Sequence, residues 1–344
     1  MMGSQENLSR PFLTAIAFVS LVTVSVLSQT QNVSENESVQ FLTSWGEPDL
    51  QGIWDFRTIT PLERPDEYEG QEVFTNQQVV DFEEQVAEKN RDQPPVEGST
   101  GSYNQFWFDR GTRVTGDQRT SLIVDPPDGK IPSLRPAVTK GMDVDSTSSE
   151  SEVGSRPVRF AVGGVGADGP EDRGWAERCL LGFNAGPPMV PSAYNNHVQV
   201  FQVPGYVVIL NEMVHDARIV PLDGRSHLPE HIRQWKGDSR GHWDGDTLVV
   251  DTTNFTANTA SFNPSLVSSI GSGETLHLTE RFTRVDEGTL LYEFTVDDPT
   301  TFTREFTAAI PMTQSDEPVF EYACHEGNHG MFNILSVARA AERQ

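Results

Sequence analysis

Cations are scarce in this chain: 25 lysines and arginines stand against 50 aspartates and glutamates among 344 residues, a net charge of −25. A surface this negative repels phosphate backbones and anionic headgroups, which argues against nucleic acid and the membrane as partners. Solubility in a salty medium is the plain reading of that charge. Cysteine is nearly absent too. Cys179 and Cys324 are the only two, and they lack the C-x-x-C spacing of thiol redox catalysts. There is no G-x-S-x-G elbow, no glycine fingerprint for a nucleotide after a strand, and no Asp-rich calcium loop. No cofactor is implied.

One uncharged run is present, at the start. Residues 11–27 (PFLTAIAFVSLVTVSVL) follow a polar segment carrying Arg10 and precede Ser28. The run is short for a membrane span, which needs about 20 predominantly apolar residues, and Thr14, Ser20, Thr23 and Ser25 weaken it further. Its order matches a secretory leader, with Val26 and Ser28 before the cleavage point. Residues 1–28 are therefore expected to be removed on export to the periplasm or beyond. In an oxidising compartment the two cysteines are most simply one disulfide, with two buried free thiols as the alternative. Closing so long a loop would stabilise by about 4–5 kcal/mol in the chain-entropy account.

Residues 29–40 read as a disordered tether and residues 41–344 as one β-rich domain, with an acidic, Ser-rich loop at 141–155. A split into two domains near that loop is the alternative. Residues 75–90 predict a helix capped by Thr75, with Val79, Phe82 and Val86 on its apolar stripe. From residue 195 strands recur. Pro204-Gly205, Asp223-Gly224 and Asp244-Gly245-Asp246 mark turns between apolar runs. Three long strands are expected over 275–310 and a further one at 319–323. A last helix is expected over 330–343, with Phe332, Leu335, Val337 and Ala338 inward. The pattern predicts a mainly β fold: an antiparallel meander closed as a lipocalin-like barrel or packed as a sandwich, with long N-terminal loops, one internal helix and a C-terminal helix.

Residues 104–111 (NQFWFDRG), 119–129 (RTSLIVDPPDG), 215–224 (HDARIVPLDG), 237–241 (GDSRG), 243–250 (WDGDTLVV) and 322–328 (YACHEGN) resemble a large set of uncharacterised exported bacterial proteins. The resemblance covers nearly the whole mature chain. It implies export and a shared fold, and no activity. Residues 49–54 (DLQGIW) also resemble the Gly-x-Trp start of lipocalin-type barrels, ending in Trp54.

Four groups of residues could carry chemistry. His325-Glu326-Gly-Asn-His329 matches the zinc-protease pattern H-E-x-x-H, but Gly327-Asn328 makes a poor helix interior and no metal is assigned. His325 and Glu326 remain candidates as loop residues beside Cys324. In His215-Asp216-Ala-Arg218, strand geometry puts Asp216 and Arg218 on one face and His215 on the other. They form either an outer salt bridge or an interior pair with a purpose. His227, His231, Arg233, Trp235, Asp238, Arg240, His242 and Trp243 crowd one loop-rich stretch. There, rings and guanidinia suit a sugar or small ligand, or else local salt bridges hold a turn. Finally, Phe106, Trp107 and Phe108 precede Asp109 and Arg110. Core is expected for the two Phe and a pocket wall for Trp107, with Arg110 beside it.

Two functions follow. The first is a secreted barrel binding an apolar or sugar-like small molecule through Trp54, Trp107, Arg110, His231, Trp235 and Trp243. The second is an exported lyase or hydrolase acting on a carbohydrate or acidic substrate. It would use His215 or His325 as base and Arg218 or Arg240 as clamp, with Asp216 and Glu326 in support.

Overall fold

A computed structural model describes residues 41–91, 107–136, 138, 168–265 and 268–343. The leader, the tether, Phe106 and the Ser-rich loop lie outside the described residues, as does the side chain of His215.

The alternating segments form strands because their apolar residues recur every second position and bury one face. The strands are β1 (Gly52–Asp55), β2 (Ile123–Asp125), β3 (His197–Val203), β4 (Tyr206–Asn211), β5 (Ala217–Pro221) and β6 (Asp238–Asp244). They continue with β7 (Thr247–Thr253), β8 (Phe262–Ser265), β9 (Ser268–Ile270), β10 (His277–Arg284), β11 (Thr289–Asp297) and β12 (Phe306–Ser315). Ten of them make one antiparallel sheet in the order β5-β4-β3-β1-β12-β11-β10-β7-β6, with β2 pairing β12 off this path, and β8 and β9 pair separately. Helix α1 (Asn76–Lys89) has the expected cap: Thr75 and Gln78 bond reciprocally, and Phe82 stacks on buried Phe74 with ring centroids 5.2 Å apart.

The strand path does not close. The edge strands β5 and β6 lie side by side without hydrogen-bonded pairing, so the arrangement fits a sandwich rather than a closed barrel. Gly241 on β6 permits the approach: a Cβ there would fall 2.6 Å from Leu222 Cδ2 and 2.9 Å from Val220 Cγ1. Each edge thus covers the other, which keeps both from templating aggregation.

The main core joins β3, β4 and β5 to β7, β10, β11 and β12 through Val198, Ile209, Val220, Leu248, Phe282, Phe294 and Ile310. Trp54 is fully buried in it and donates Nε1–H to Leu50 O at 2.9 Å. That leaves the ring no face for a ligand.

An ion pair sits in the same interior. Arg218 on β5 grips Glu280 on β10 with two hydrogen bonds, Nη2 to Oε1 at 2.9 Å and Nη1 to Oε2, and neither side chain reaches solvent appreciably. Tyr292 Oη donates to Glu280 Oε1 at 2.8 Å and accepts Met189 N–H at 3.0 Å. Burial lowers the Arg218 pKa, but the charge and hydrogen bonds of Glu280, with Tyr292 and Asp216 adding to them, together outweigh it and raise the value. The expected Asp216–Arg218 pairing is corrected here. Arg218 turns inward while Ile219 beside it is 65% exposed, and Asp216 instead lies 2.7 Å from Lys236 Nζ.

Two other expectations fail locally. Residues 319–323 form no strand: Pro318 has no N–H to give a ladder, and the Phe320 N–H bonds the Glu212 carboxylate. The last helix, α2 (His329–Ala341), leaves Phe332 72% and Val337 69% exposed. Its inner stripe is Met331, Ile334, Leu335 and Ala338, an i, i+3, i+4, i+7 set.

Breaking the interior pair strands a buried charge. Arg218→Met should destabilise the protein by about 3–5 kcal/mol in denaturant unfolding, and Arg218→Met/Glu280→Leu should recover more than half of that loss. A single variant no less stable than wild type would contradict the assignment.

Candidate functional site

The two cysteines are bonded. Cys179 and Cys324, 145 residues apart, have Cα atoms 5.7 Å apart and an S–S distance of 2.02 Å. Closing that loop stabilises by about 5 kcal/mol in the chain-entropy model. The turn over residues 174–180 is held by Glu177, which accepts from Arg173 Nη2 and Gly174 N. Cys179 adopts φ +56°, which aims its sulfur at Cys324. Asn328 completes the corner. Its Oδ1 caps α2 at Met331 N, and its Nδ2 donates to Glu177 O at 2.8 Å.

Behind this corner lies a cavity of about 410 Å³. Phe183, Tyr194 and Tyr322 give it aromatic walls, with Phe183 edge-on to Tyr194 and Tyr194 nearly parallel to Tyr322. Met213 and Val214 close one side, and Met331 and Ile334 of α2 roof it. Glu177, Glu321 and Asn328 provide its polar edge. Val214 stands at φ +63°, ψ 12°. A β-branched residue in that region is strained by about 1–3 kcal/mol, and such strain concentrates where ligands bind.

A buried His–Glu pair adjoins the Val214 side. His197 Nδ1 lies 3.2 Å from Glu212 Oε2, and Glu212 Oε1 accepts Phe320 N–H. His197 Nε2 is buried with no hydrogen-bond partner among the described residues. The Glu212 hydrogen bond raises the His197 pKa against the opposing effect of burial. Burial pushes Glu212 up, but hydrogen bonds from His197, Phe320 N–H and Asn195 together hold it below its ordinary value.

The residues singled out in the sequence do not gather at this cavity. His325 and Glu326 are exposed in the turn before α2, and His329 is the first residue of that helix, so the two histidines do not share a helix face. His231 and His242 are exposed as well, in a turn and on β6. Asp238 organises the stretch around them: it accepts from Leu228 N and approaches His227 Nδ1 (3.0 Å) and Arg240 Nη1 (2.7 Å). Arg240 also donates to Ser226 O and Ser239 O, which leaves it little freedom to clamp a ligand. Trp235 packs in a small cluster with Trp175, Leu181 and Ala260, and Trp243 packs half-buried against the main core. Trp107 is 61% exposed, and Arg110 lies over the Phe108 ring at 4.1 Å.

Nothing local in the sequence distinguishes His197 and Glu212, each an ordinary strand-end residue. Their signal was position: both flank the hairpin β3–β4, where register brings its two ends together. No protein-family model matches the sequence, and no curated protein matches it.

The raised His197 pKa stabilises the protein fully below about pH 6.5, the ordinary histidine value, and that contribution is lost as pH rises through the raised one. Glu212 stays ionised across this range. In thermal melts from pH 5.5 to 8.5, the advantage of wild type over His197→Gln should therefore be largest at the acid end and shrink by a few degrees toward pH 8.5. A gap that widens with pH would refute the pairing.

Proposed function

We propose that this is an exported protein that binds a small, mainly apolar, neutral or cationic molecule in the cavity beside the disulfide. The observation that carries the reading is the cavity's construction. Its aromatic and thioether walls are apolar, while three polar residues at the edge can orient a ligand. Its size of about 410 Å³ suits a single small molecule. Glu177 and Glu321 at the edge, together with a net charge of −25, work against anions. The disulfide supports an oxidising location, and no helix among the described residues is long and apolar enough to cross a membrane. A cross-link and a capped helix fix the walls in advance, which lowers the ordering cost of binding.

Native mass spectrometry of the purified protein, alone and against a library of aromatic amines and neutral aromatics, tests the reading. One equivalent should bind. Tyr194→Ala and Ile334→Arg should each weaken binding at least about tenfold, and reduction of the disulfide should weaken it likewise. The absence of any bound library member, or affinity indifferent to both variants, would sink it. Turnover rather than retention of a ligand would favour the lyase or hydrolase reading instead.

A further inference from the structure

A second cavity, of about 270 Å³, opens between α1 and residues 108–112. Its wall carries Arg110, and the surroundings of that guanidinium are unusual for this chain. Carboxylates outnumber cations two to one, and the acid next to Arg110 in sequence is Asp109. Yet Asp109 is taken by Arg57, whose Nη1 donates to Oδ1 at 2.8 Å and Oδ2 at 2.7 Å. Among the described residues Arg110 has only the Phe108 ring beneath it and no carboxylate. Burial lowers its pKa, so its charge is held at a cost that no neighbouring anion offsets.

The segment is rigidly placed. Asp109 N–H donates to Ala193 O at 2.6 Å, and Asp109 O accepts from Asn196 Nδ2 at 3.0 Å. Gly111 takes φ +84°, and a Cβ there would sit 3.0 Å from Arg57 Cβ, so the turn that presents Arg110 requires glycine. The last turn of α1, with Val86, Ala87 and Asn90, faces it across the cavity. That helix end offers only partial negative charge, which does not saturate a five-donor fork.

We propose that this cavity is a separate binding site for a small monocarboxylate with a flat apolar body, held by Arg110. A guanidinium with one face on a ring keeps its edge free to grip a carboxylate through two parallel hydrogen bonds. Val86 and Ala87 meet the apolar body, and the volume admits one ring rather than an oligosaccharide. Glu83 sets the charge limit. Its carboxylate is fixed in the same wall by Arg113 Nη1 (2.8 Å) and Val114 N (3.2 Å), and it repels a second negative charge. The site therefore selects monoanions over phosphate. It shares no lining residue with the cavity at the disulfide and does not depend on the function proposed there.

Titration calorimetry of the intact protein with benzoate, its neutral isostere benzamide, and inorganic phosphate tests this. Benzoate should bind one to one, benzamide at least about tenfold more weakly, and phosphate more weakly than benzoate. Arg110→Gln should weaken benzoate about ten- to hundredfold, with Arg110→Lys in between. Val86→Trp, which fills the cavity and leaves Arg110 in place, should abolish benzoate binding while the protein still melts cooperatively. Equal affinity for benzoate and benzamide, tighter binding of phosphate than of benzoate, or benzoate affinity unmoved by both Arg110→Gln and Val86→Trp, would overturn the proposal.

Discussion

The forked ion pair between Arg218 and Glu280 is the constraint on which the interior is arranged. The two residues lie on strands six places apart along the hydrogen-bonded path, β5 near one end and β10 near the other. A bidentate contact tolerates little displacement, so the sheet must curl until these strands face each other across the core. The pair also reaches beyond the sheet. Tyr292 donates to Glu280 and accepts from Met189 N–H, which anchors the segment running from Phe183 to Asn196. That segment supplies Phe183 and Tyr194 to one cavity and the Ala193 carbonyl that fixes Asp109 beside the other. Such a pair adds little net stability over an apolar substitute of equal volume; its effect is specificity of arrangement.

Much of this was legible in the sequence, and the reasons are physical. Two cysteines allow one pairing, and the bond joins the two segments it was expected to join. Thr75 announced the start of α1, and Pro204-Gly205 and Asp244-Gly245-Asp246 placed the β3–β4 and β6–β7 hairpins. What remained hidden lay where local pattern and tertiary partner disagree. In Leu276-His-Leu278-Thr-Glu280-Arg-Phe282 a carboxylate occupies an inward position of an apolar series, and in Ala217-Arg218-Ile219-Val220 the cation points in while isoleucine points out. Each anomaly alone resembles a flawed alternation. Read together, an inward carboxylate and an inward arginine on different strands are complementary. Asp216 is the nearer acid in sequence, but adjacency along the chain does not report proximity across the core.

The indole rings gave a similar lesson about candidate sites. Trp54, Trp235 and Trp243 were singled out for ligand stacking, and packing absorbs all three to different degrees. A large ring on a strand is worth most to stability when it is buried, so a core role competes strongly with a binding role. The cavity at the disulfide uses smaller and more adaptable groups instead, Phe, Tyr and Met. Apart from Met331 on α2, these stand on segments whose burial no strand alternation describes.

Neither cavity is built on the strand ladder, and this bears on how each would respond to change. Asn184 and Asn196, both buried, bind the backbone of residues 192–196 and each other, standing in for a ladder where the chain is irregular. Asn196 then reaches on to Asp109. The two cavities therefore share one hub but not one clamp. The disulfide and the α2 cap hold the first, while Arg57, Asp109 and the Gly111 turn hold the second. A perturbation confined to the disulfide leaves the asparagine hub and the sheet in place. It should loosen the roof formed by Met331 and Ile334 without displacing Arg110, because no contact of Arg110 runs through α2. The sheet, closed off by its own edges, serves both as the fixed body against which these loop-built walls are set.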